Sequence, residues 1–555
     1  MDPEWAHRLG HYPFEKIGSD VFLVVSSTKI SAFVADAEVV TQITTRRNDF
    51  PKPLELYTRL DLYGKNLVST EGTDWRMHRK LTAPSFGERN NELVFTESVH
   101  HTQSLLRLWT GVDGTERKAL TDPASDTMIW ALYIISGAGF DIRVTWPHDE
   151  GVQQAEKANE ANSVFQGSQA PPGHVMNYRE ALSELLHNIM WTFMGPPEYL
   201  SKSPFKVHRT VGKAMLEWGT YMDEIFQLKK DQVASGQDAH GMDIFRALIR
   251  NSGILDENQT SVKKSDLLGN AFVLMLAGHE TTANALHYSL IFLAMRWSSQ
   301  KRLQEEVDDV IQGRPISAWK YEEVFQKLFN GMPAAIMNET LRVITPINNI
   351  PKSTAPGRPQ QFTMGGQTYI MPGDTQVSLS CAIHKNPKYW PAPPGEEEKN
   401  GIPDAQRFRP ERWLNKSQAA ETFEDINYDD EELRGPSGED TSSNLFKPIR
   451  GSYIPFSDGF RSCIGRRFAQ VELLTAFAVI FRTYSVELAV DEWASEEQLE
   501  RMSEKEREEV WKKAADRAWY FLQKKTASII TLQLRGVTIP IRLVKRGEER
   551  LKFDY

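Results

Sequence analysis

Apolar and polar positions near the start of the chain alternate in short runs. Val21 to Val25 and Ile30 to Val34 are β-branched stretches separated by Ser26-Ser27-Thr28-Lys29, which predicts a hairpin. Asp36 follows as an N-cap, and a short helix is expected through Arg46 before Pro51 and Pro53 break the pattern. A loop runs to about Gly72. From there to about residue 345 the apolar spacing is helical, in segments near 73–84, 89–112, 122–138, 178–195, 205–235, 265–297 and 330–344. Ala170-Pro171-Pro172-Gly173 and Gly195-Pro196-Pro197 punctuate the series. After Pro346 the pattern changes to short strands and turns, including Gln367 to Ile370 and Thr375 to Leu379. A last long helix is expected from just beyond Gly465 towards Tyr484.

The longest apolar-rich stretch, Ala271 to Met295, contains His279, Glu280, Asn284 and His287, so it reads as a buried core helix and not a bilayer span. No secretory signal opens the chain, because Met1 to Gly18 is polar and broken by Pro3 and Pro13. The chain as given is expected to be soluble or peripheral. Residues 421–440 form an acidic run, read as a solvated or disordered insertion spanning about 415–450. The charged block Glu496 to Arg517 is periodic enough for an extra surface helix.

Composition narrows the function. The chain has 555 residues, 40% hydrophobic and 25% charged, enough apolar material for a large core. A formal net charge of -9, without a basic stripe, argues against nucleic acid as a partner. The only cysteines, Cys381 and Cys463, cannot make a disulfide framework, and no histidines stand at zinc-finger spacing beside them.

Cys463 lies in Phe456-Ser457-Asp458-Gly459-Phe460-Arg461-Ser462-Cys463-Ile464-Gly465, directly before a helix. An iron-bound thiolate must be deprotonated, shielded from water and held at a fixed distance from a flat macrocycle. Glycines at 459 and 465 remove Cβ atoms where backbone would strike the ring. N–H groups of the turn and of the following helix can stabilise the sulfur charge. Arg461 offers a cation to a ring carboxylate, and Phe456 can cover the sulfur. Cys463 taken alone also fits a buried, inert thiol in a Gly-rich turn.

The full spacing Phe-x-x-Gly-x-Arg-x-Cys-x-Gly resembles the haem-binding loop of the cytochrome P450 superfamily, and other family elements follow in order. Glu339-Thr340-Leu341-Arg342 and Pro410-Glu411-Arg412-Trp413 resemble the parts of a buried network of Glu339, Arg342 and Arg412. The family more often has Phe at the place of Trp413. Trp75 and Arg79, four apart on one helix face, read alone as a core Trp and a surface Arg; the resemblance puts them on the haem propionates. Lys352 stands where the family usually places another propionate-binding Arg, keeping the charge without the bidentate fork.

Ala277-Gly278-His279-Glu280-Thr281-Thr282 breaks the apolar helix with a buried polar cluster, which is costly without partners. A threonine there can back-bond to the preceding turn and bend the helix. By the resemblance, Glu280 and Thr281 form an acid–alcohol pair that delivers protons to the distal oxygen, with Ala277 and Gly278 nearest to it. His279 projects to another face and carries no assignment. His384, in His384-Lys385-Asn386-Pro387-Lys388-Tyr389-Trp390, matches a structural segment and is not expected to be catalytic.

The resemblance spans about Val21 to Lys545. It implies a single mainly α haem-binding domain over 1–555 with small β-sheets, holding haem b (iron protoporphyrin IX), with Cys463 as axial ligand. The expected activity is monooxygenation of an apolar organic substrate by dioxygen, in the manner of specialised metabolism. Substrate contacts are expected from Leu54 to Val68, Phe193 to Leu200, Phe272 to Leu276, Ile347 to Ile350 and Arg535 to Thr538. Phe272, Leu276, Ile347 and Asn348 are the specific candidates, with Asn348 and Asn349 as polar anchors. Without a flavin or nicotinamide fingerprint, electrons are expected from a separate NADPH–cytochrome P450 reductase, docking on Arg76, Lys80, Arg466 and Arg467. The microsomal, fungal-like branch fits best. Its members usually carry an N-terminal membrane helix and hinge, and this chain is expected to begin after both. The resemblance implies a monomer, placed on the cytoplasmic face of the endoplasmic reticulum membrane if the anchor is present in the native protein. Two rival classes remain at this stage: a haem-thiolate isomerase, dehydratase or oxidative coupling enzyme, and a non-enzymatic haem sensor. Glu280 with Thr281 weighs against all of these except coupling.

Overall fold

The valine-rich runs near the N-terminus pair as their alternation predicts. In a computed structural model, which describes residues 4–149, 169–236, 243–255, 262–414, 441–528 and 530–555, Val21–Val25 runs antiparallel to Ile30–Val34. Ile30–Val34 then pairs in parallel with Thr375–Ser380, and Asn349–Ser353 closes the far edge of the sheet. Pro351 is tolerated because its strand lies on that edge, where a missing N–H breaks no ladder. The register sets Lys352 opposite Val377. Asp36 caps the next helix, Ala37–Thr45, by accepting from the Val39 N–H at 3.1 Å.

Two compact units, interleaved in sequence, account for the described residues. The first comprises Met1–Pro53, Leu105–Thr127 and Thr281–Tyr555; the second comprises Leu54–Ser104 and Met128–Glu280. The first holds every strand among the described residues, together with the helices Trp297–Ile311, Tyr321–Phe329, Met332–Val343 and Arg466–Phe481. All residues of Met332–Val343 are buried, including Glu339 and Arg342. The second unit is helical. Lys206–Ala234 packs against Pro197–Leu200 so closely that a Cβ at Gly212 would meet the Ser201 nitrogen at 2.3 Å. The 31-residue helix Lys264–Ala294 gives its N-terminal part to the second unit and its C-terminal part to the first.

Several expectations from periodicity need correction. The segment 178–195 is two helices, Tyr178–His187 and Ile189–Thr192. Between them the Asn188 amide turns back onto the Glu184 carbonyl at 3.1 Å and competes with the backbone ladder. Among the described residues six α-helices carried no prediction: Trp5–Leu9, Tyr12–Ile17, Pro197–Leu200, Ile244–Ser252, Trp297–Ile311 and Tyr321–Phe329. The charged block is also two helices, Glu496–Arg501 and Glu504–Lys524, each opened by a capping box. The longer is no mere surface helix, since Val510, Trp511, Ala514, Ala515, Ala518 and Leu522 form a buried stripe. The acidic run 421–440 lies outside the described residues. Among the described residues no helix is long and apolar enough to cross a membrane.

Candidate active site

The cysteine loop is held from both sides. Cys463 N–H donates to the Phe456 carbonyl at 2.8 Å, and Ser462 N–H to the Gly459 carbonyl at 3.0 Å. Gly459 has φ +68, and a Cβ there would stand 2.4 Å from the Thr44 carbonyl oxygen. Its glycine is therefore required by the helix Ala37–Thr45, a reason different from clearance of a macrocycle. Asp458 fastens the same junction, accepting from Thr44 Oγ1 at 3.1 Å and from Arg450 at 3.2 Å. Cys463 is exposed, so the inert buried-thiol reading does not describe it. Gly465 caps the helix Arg466–Phe481, leaving the sulfur-bearing residue just ahead of a helix N-terminus, where the dipole favours negative charge. Arg461 lies half-buried on the turn Gly459–Arg461, and the Phe456 ring lies 5.9 Å from the Arg466 guanidinium. Cys381 behaves oppositely: it is buried, donates to the Ile347 carbonyl, and burial pushes its thiol up to about 12.

Behind this loop, Glu339, Arg342 and Arg412 do form one network, and Asp404, Arg407, Arg409 and Trp413 join it. Glu339 accepts from Arg342 Nε and Nη2 at 2.7 and 2.8 Å, and from Arg412 Nε at 2.9 Å. It also accepts from the Arg409 N–H at 2.8 Å and the Trp413 indole at 2.9 Å. Burial works against this carboxylate's charge, but the two guanidinium groups and these donors prevail, holding it down at about 2. Trp413 is thus an extra donor that a phenylalanine could not supply. Asp404, unassigned from sequence, takes the other side of Arg412 at 3.0 Å and also holds Arg407 and Arg409. Arg342 spends its remaining N–H groups on the carbonyls of His384, Ala405 and Arg407. His384 accepts from Ile454 N–H at 2.8 Å and stays neutral, lowered to about 3 by burial and the nearby cations, in keeping with a structural role.

The helix Lys264–Ala294 is buried along most of its length, yet Ala277 is exposed and Gly278 and Thr281 are half-buried. These positions share one face, at spacings of one, three and four residues. Glu280 is 7% exposed. A Cβ at Gly278 would press on Ile135 at 3.1 Å, so this glycine also admits the π-turn Ile135–Gly139 against the helix. His279 is buried, bonded to the Met275 carbonyl at 3.2 Å, and burial lowers it to about 4, which suits packing and not catalysis.

Trp75 and Arg79 lie on the helix Gly72–Thr82 and are each 2% exposed, so Arg79 is not a surface residue. Asn270 locks that helix by donating to His78 Nδ1 at 2.7 Å while accepting from Leu67 N–H at 2.9 Å. Lys352 is buried on its strand. Phe272 and Leu276 are buried in the second unit. In the first unit Ile347 is half-buried and Asn348 is buried, its Nδ2 meeting no acceptor among the described residues. Asn349 accepts from Ser378 Oγ through its Oδ1 at 2.9 Å.

Of the four basic residues expected to form a docking face, Arg76 and Lys80 are exposed and Arg466 is half-buried. Arg467 is buried between the Phe325 and Phe329 rings, at 5.2 and 4.6 Å, and cannot meet a partner. Glu472 escaped the sequence reading. It is 0% exposed on Arg466–Phe481, neither oxygen meets a donor at hydrogen-bond distance among the described residues, and burial raises it well above the usual range, with the nearby Thr282 hydroxyl opposing the shift. The signal was present: a single carboxylate inside the apolar run Phe468 to Phe481.

Comparison with known proteins accords with this geometry. The cytochrome P450 family model matches residues 11–510. A cytochrome P450 monooxygenase of Arthrobotrys oligospora is 29% identical over 98% of this chain and 86% of its own. Cytochrome P450 monooxygenase 124 of Postia placenta is 28% identical over 86% of this chain and 80% of its own. A phomenoic acid biosynthesis cluster cytochrome P450 monooxygenase of Leptosphaeria maculans is 25% identical, covering 84% of this chain and 75% of its own. The crystal structure of the cytochrome P450DA heme domain superposes with a TM-score of 0.63 at 19% identity, covering 96% of this chain and 91% of that one, a likeness of fold. The mainly helical fold with small sheets, the motif order and the family match agree: the chain belongs to the cytochrome P450 family, haem-iron monooxygenases that oxidise organic substrates with incorporation of oxygen from dioxygen.

Proposed function

We propose that this chain holds haem b through Cys463 and oxidises an apolar organic molecule with electrons from a separate NADPH–cytochrome P450 reductase. The observation that carries the reading is the placing of Cys463 on a turn closed by the Phe456 carbonyl and set just ahead of a 16-residue helix. The residues fit the group: a thiol whose charge the helix dipole favours, and cations for propionates in Arg461, Arg79 and Lys352, with Trp75 as a further donor. Ala277, Phe456 and Gly465 would border the ring.

When bound, the haem supplies dioxygen binding and the oxidising power, with the thiolate donating electron density. The chain's own work is to move protons and exclude water. Thr281, half-buried on an otherwise packed helix, holds a hydroxyl where it can pass a proton, and Glu280 beside it resupplies that hydroxyl. Phe272, Leu276 and Ile347 keep the reacting space apolar, and the Asn348 amide stands ready for a substrate acceptor.

Membrane association on the cytoplasmic face of the endoplasmic reticulum is part of the same reading. Met194, Tyr199 and Phe205, within twelve residues of sequence, are 65%, 78% and 64% exposed, as side chains that meet a lipid surface would be. A role in specialised metabolism is supported by the biosynthetic-cluster relative.

The test is the absorption spectrum of the dithionite-reduced protein under carbon monoxide, for wild type and Cys463→Ser. The expected result is a strongly red-shifted, thiolate-type Soret band in wild type alone. No haem uptake, or a histidine-type band surviving the substitution, overturns the reading.

A further inference from the structure

A groove of about 730 Å³ opens on the second unit, with Tyr63, Leu216, Gly219, Asp223, Lys264 and Leu268 among its lining residues. Asp223 and Lys264 pair at 2.8 Å, so these charges largely cancel. Its inner wall is Tyr63. The Tyr63 ring lies 4.6 Å from that of Trp218 and 5.2 Å from that of Phe272, and those two lie 5.4 Å apart. Trp218 and Phe272 are 0% exposed, whereas Tyr63 is half-buried. Tyr63 thus lines the groove and touches the buried Phe272 behind it.

The backbone under that ring is fixed. A Cβ at Gly64 would meet the Ser265 carbonyl oxygen at 2.0 Å, and one at Gly269 would meet the Gly64 carbonyl oxygen at 2.3 Å. The loop is thus clamped against the helix Lys264–Ala294 with no slack to slide. The side chain is held more lightly. Its hydroxyl donates one hydrogen bond, to the Met215 carbonyl at 2.9 Å, and its ring lies against Gly219, which has no side chain to wedge it. The neighbouring Trp218 indole N–H has no acceptor among the described residues, so no polar bond from it braces the stack.

We propose that this groove is a way in for the substrate and that Tyr63 is its gate, limiting by size which apolar molecules reach Phe272. An apolar molecule passes when the Tyr63 ring swings off Trp218 and Phe272, breaking one hydrogen bond and two ring contacts while the backbone stays in place. The inference rests on the reading of Phe272 as a substrate-pocket residue beside a bound haem.

The test is stopped-flow binding of imidazole and of clotrimazole to the haem-loaded protein, followed at the Soret band, for wild type, Tyr63→Phe and Tyr63→Ala. Losing the hydroxyl bond should speed clotrimazole association and dissociation about fivefold in Tyr63→Phe. Losing the ring as well should speed both more than about tenfold in Tyr63→Ala, with Kd little changed. Imidazole, small enough to pass the ring, should keep its wild-type rates in both. Equal acceleration of the two probes overturns the gate, as does a change in clotrimazole Kd at unchanged association rate. A normal thiolate-type carbon monoxide band with unchanged clotrimazole kinetics sinks the gate alone, whereas absence of that band in wild type sinks the haem reading and the gate together.

Discussion

Glu339 and Glu472 are both 0% exposed, on helices of the same unit, and they end in opposite states. Glu339 sits among two guanidinium groups, a backbone N–H and an indole, and keeps its charge at about 2. Glu472 meets no donor at hydrogen-bond distance among the described residues, and burial pushes it towards the neutral acid. Burial therefore does not decide the charge of a carboxyl; the donors brought to it do. The charged site buttresses the cysteine loop from behind. At the other, burial pushes the carboxyl towards its neutral form, which lessens the cost of desolvation.

The largest expected effect comes from emptying the charged site. Glu339→Gln leaves Arg342 and Arg412 buried without their shared counter-ion and should cost about 3–5 kcal/mol, read as a lower denaturation midpoint and poor haem retention. Retention of wild-type stability would mean that the arginines find other partners. A smaller loss is expected from Trp413→Phe, which keeps the ring but removes one donor, about 1 kcal/mol in the same assay. Its sign sharpens the comparison, because a neutral outcome would show that four donors suffice for Glu339.

Glu472→Gln should change least. The amide resembles the protonated acid, so wild type and variant should match below about pH 4.5. Because the folded group is shifted upward, the wild type's stability falls as pH rises through the ordinary carboxyl range, by up to roughly 1.4 kcal/mol per pH unit. The variant lacks that term, so its advantage in urea denaturation should grow from pH 5 to pH 7. Glu339 has the opposite sign: its contribution is present above about 4.5 and is lost as pH falls towards about 2. A pH-independent difference between wild type and Glu472→Gln would contradict an upward-shifted carboxyl there.

What was legible in the chain follows from how far apart the interacting residues lie. The helix Arg466–Phe481, the hairpin and the Asp36 cap are local, set by spacing within a few residues. Glu339 and Arg342 lie one turn apart, and Arg412 could be assigned only through a motif. Arg409 and Trp413 reach Glu339 from 70 and 74 residues away, and no local pattern announces them. The short helix Ile244–Ser252 is, by contrast, local, with Ile244, Phe245, Leu248 and Ile249 buried at helical spacing. Arg467 reads as one more surface cation beside Arg466, and only the packing of Phe325 and Phe329 around it shows otherwise.

By itself the sequence determined the helical class, the order of the motifs and the thiol at Cys463, because each is written in neighbouring residues or in a spacing long enough to be specific. Tertiary structure decided the charge state of Glu472, the reasons for Gly459 and Gly278, and the contact of Tyr63 with Phe272. These depend on which distant backbone or side chain arrives within a few ångströms, and close packing makes that arrival a property of the whole fold.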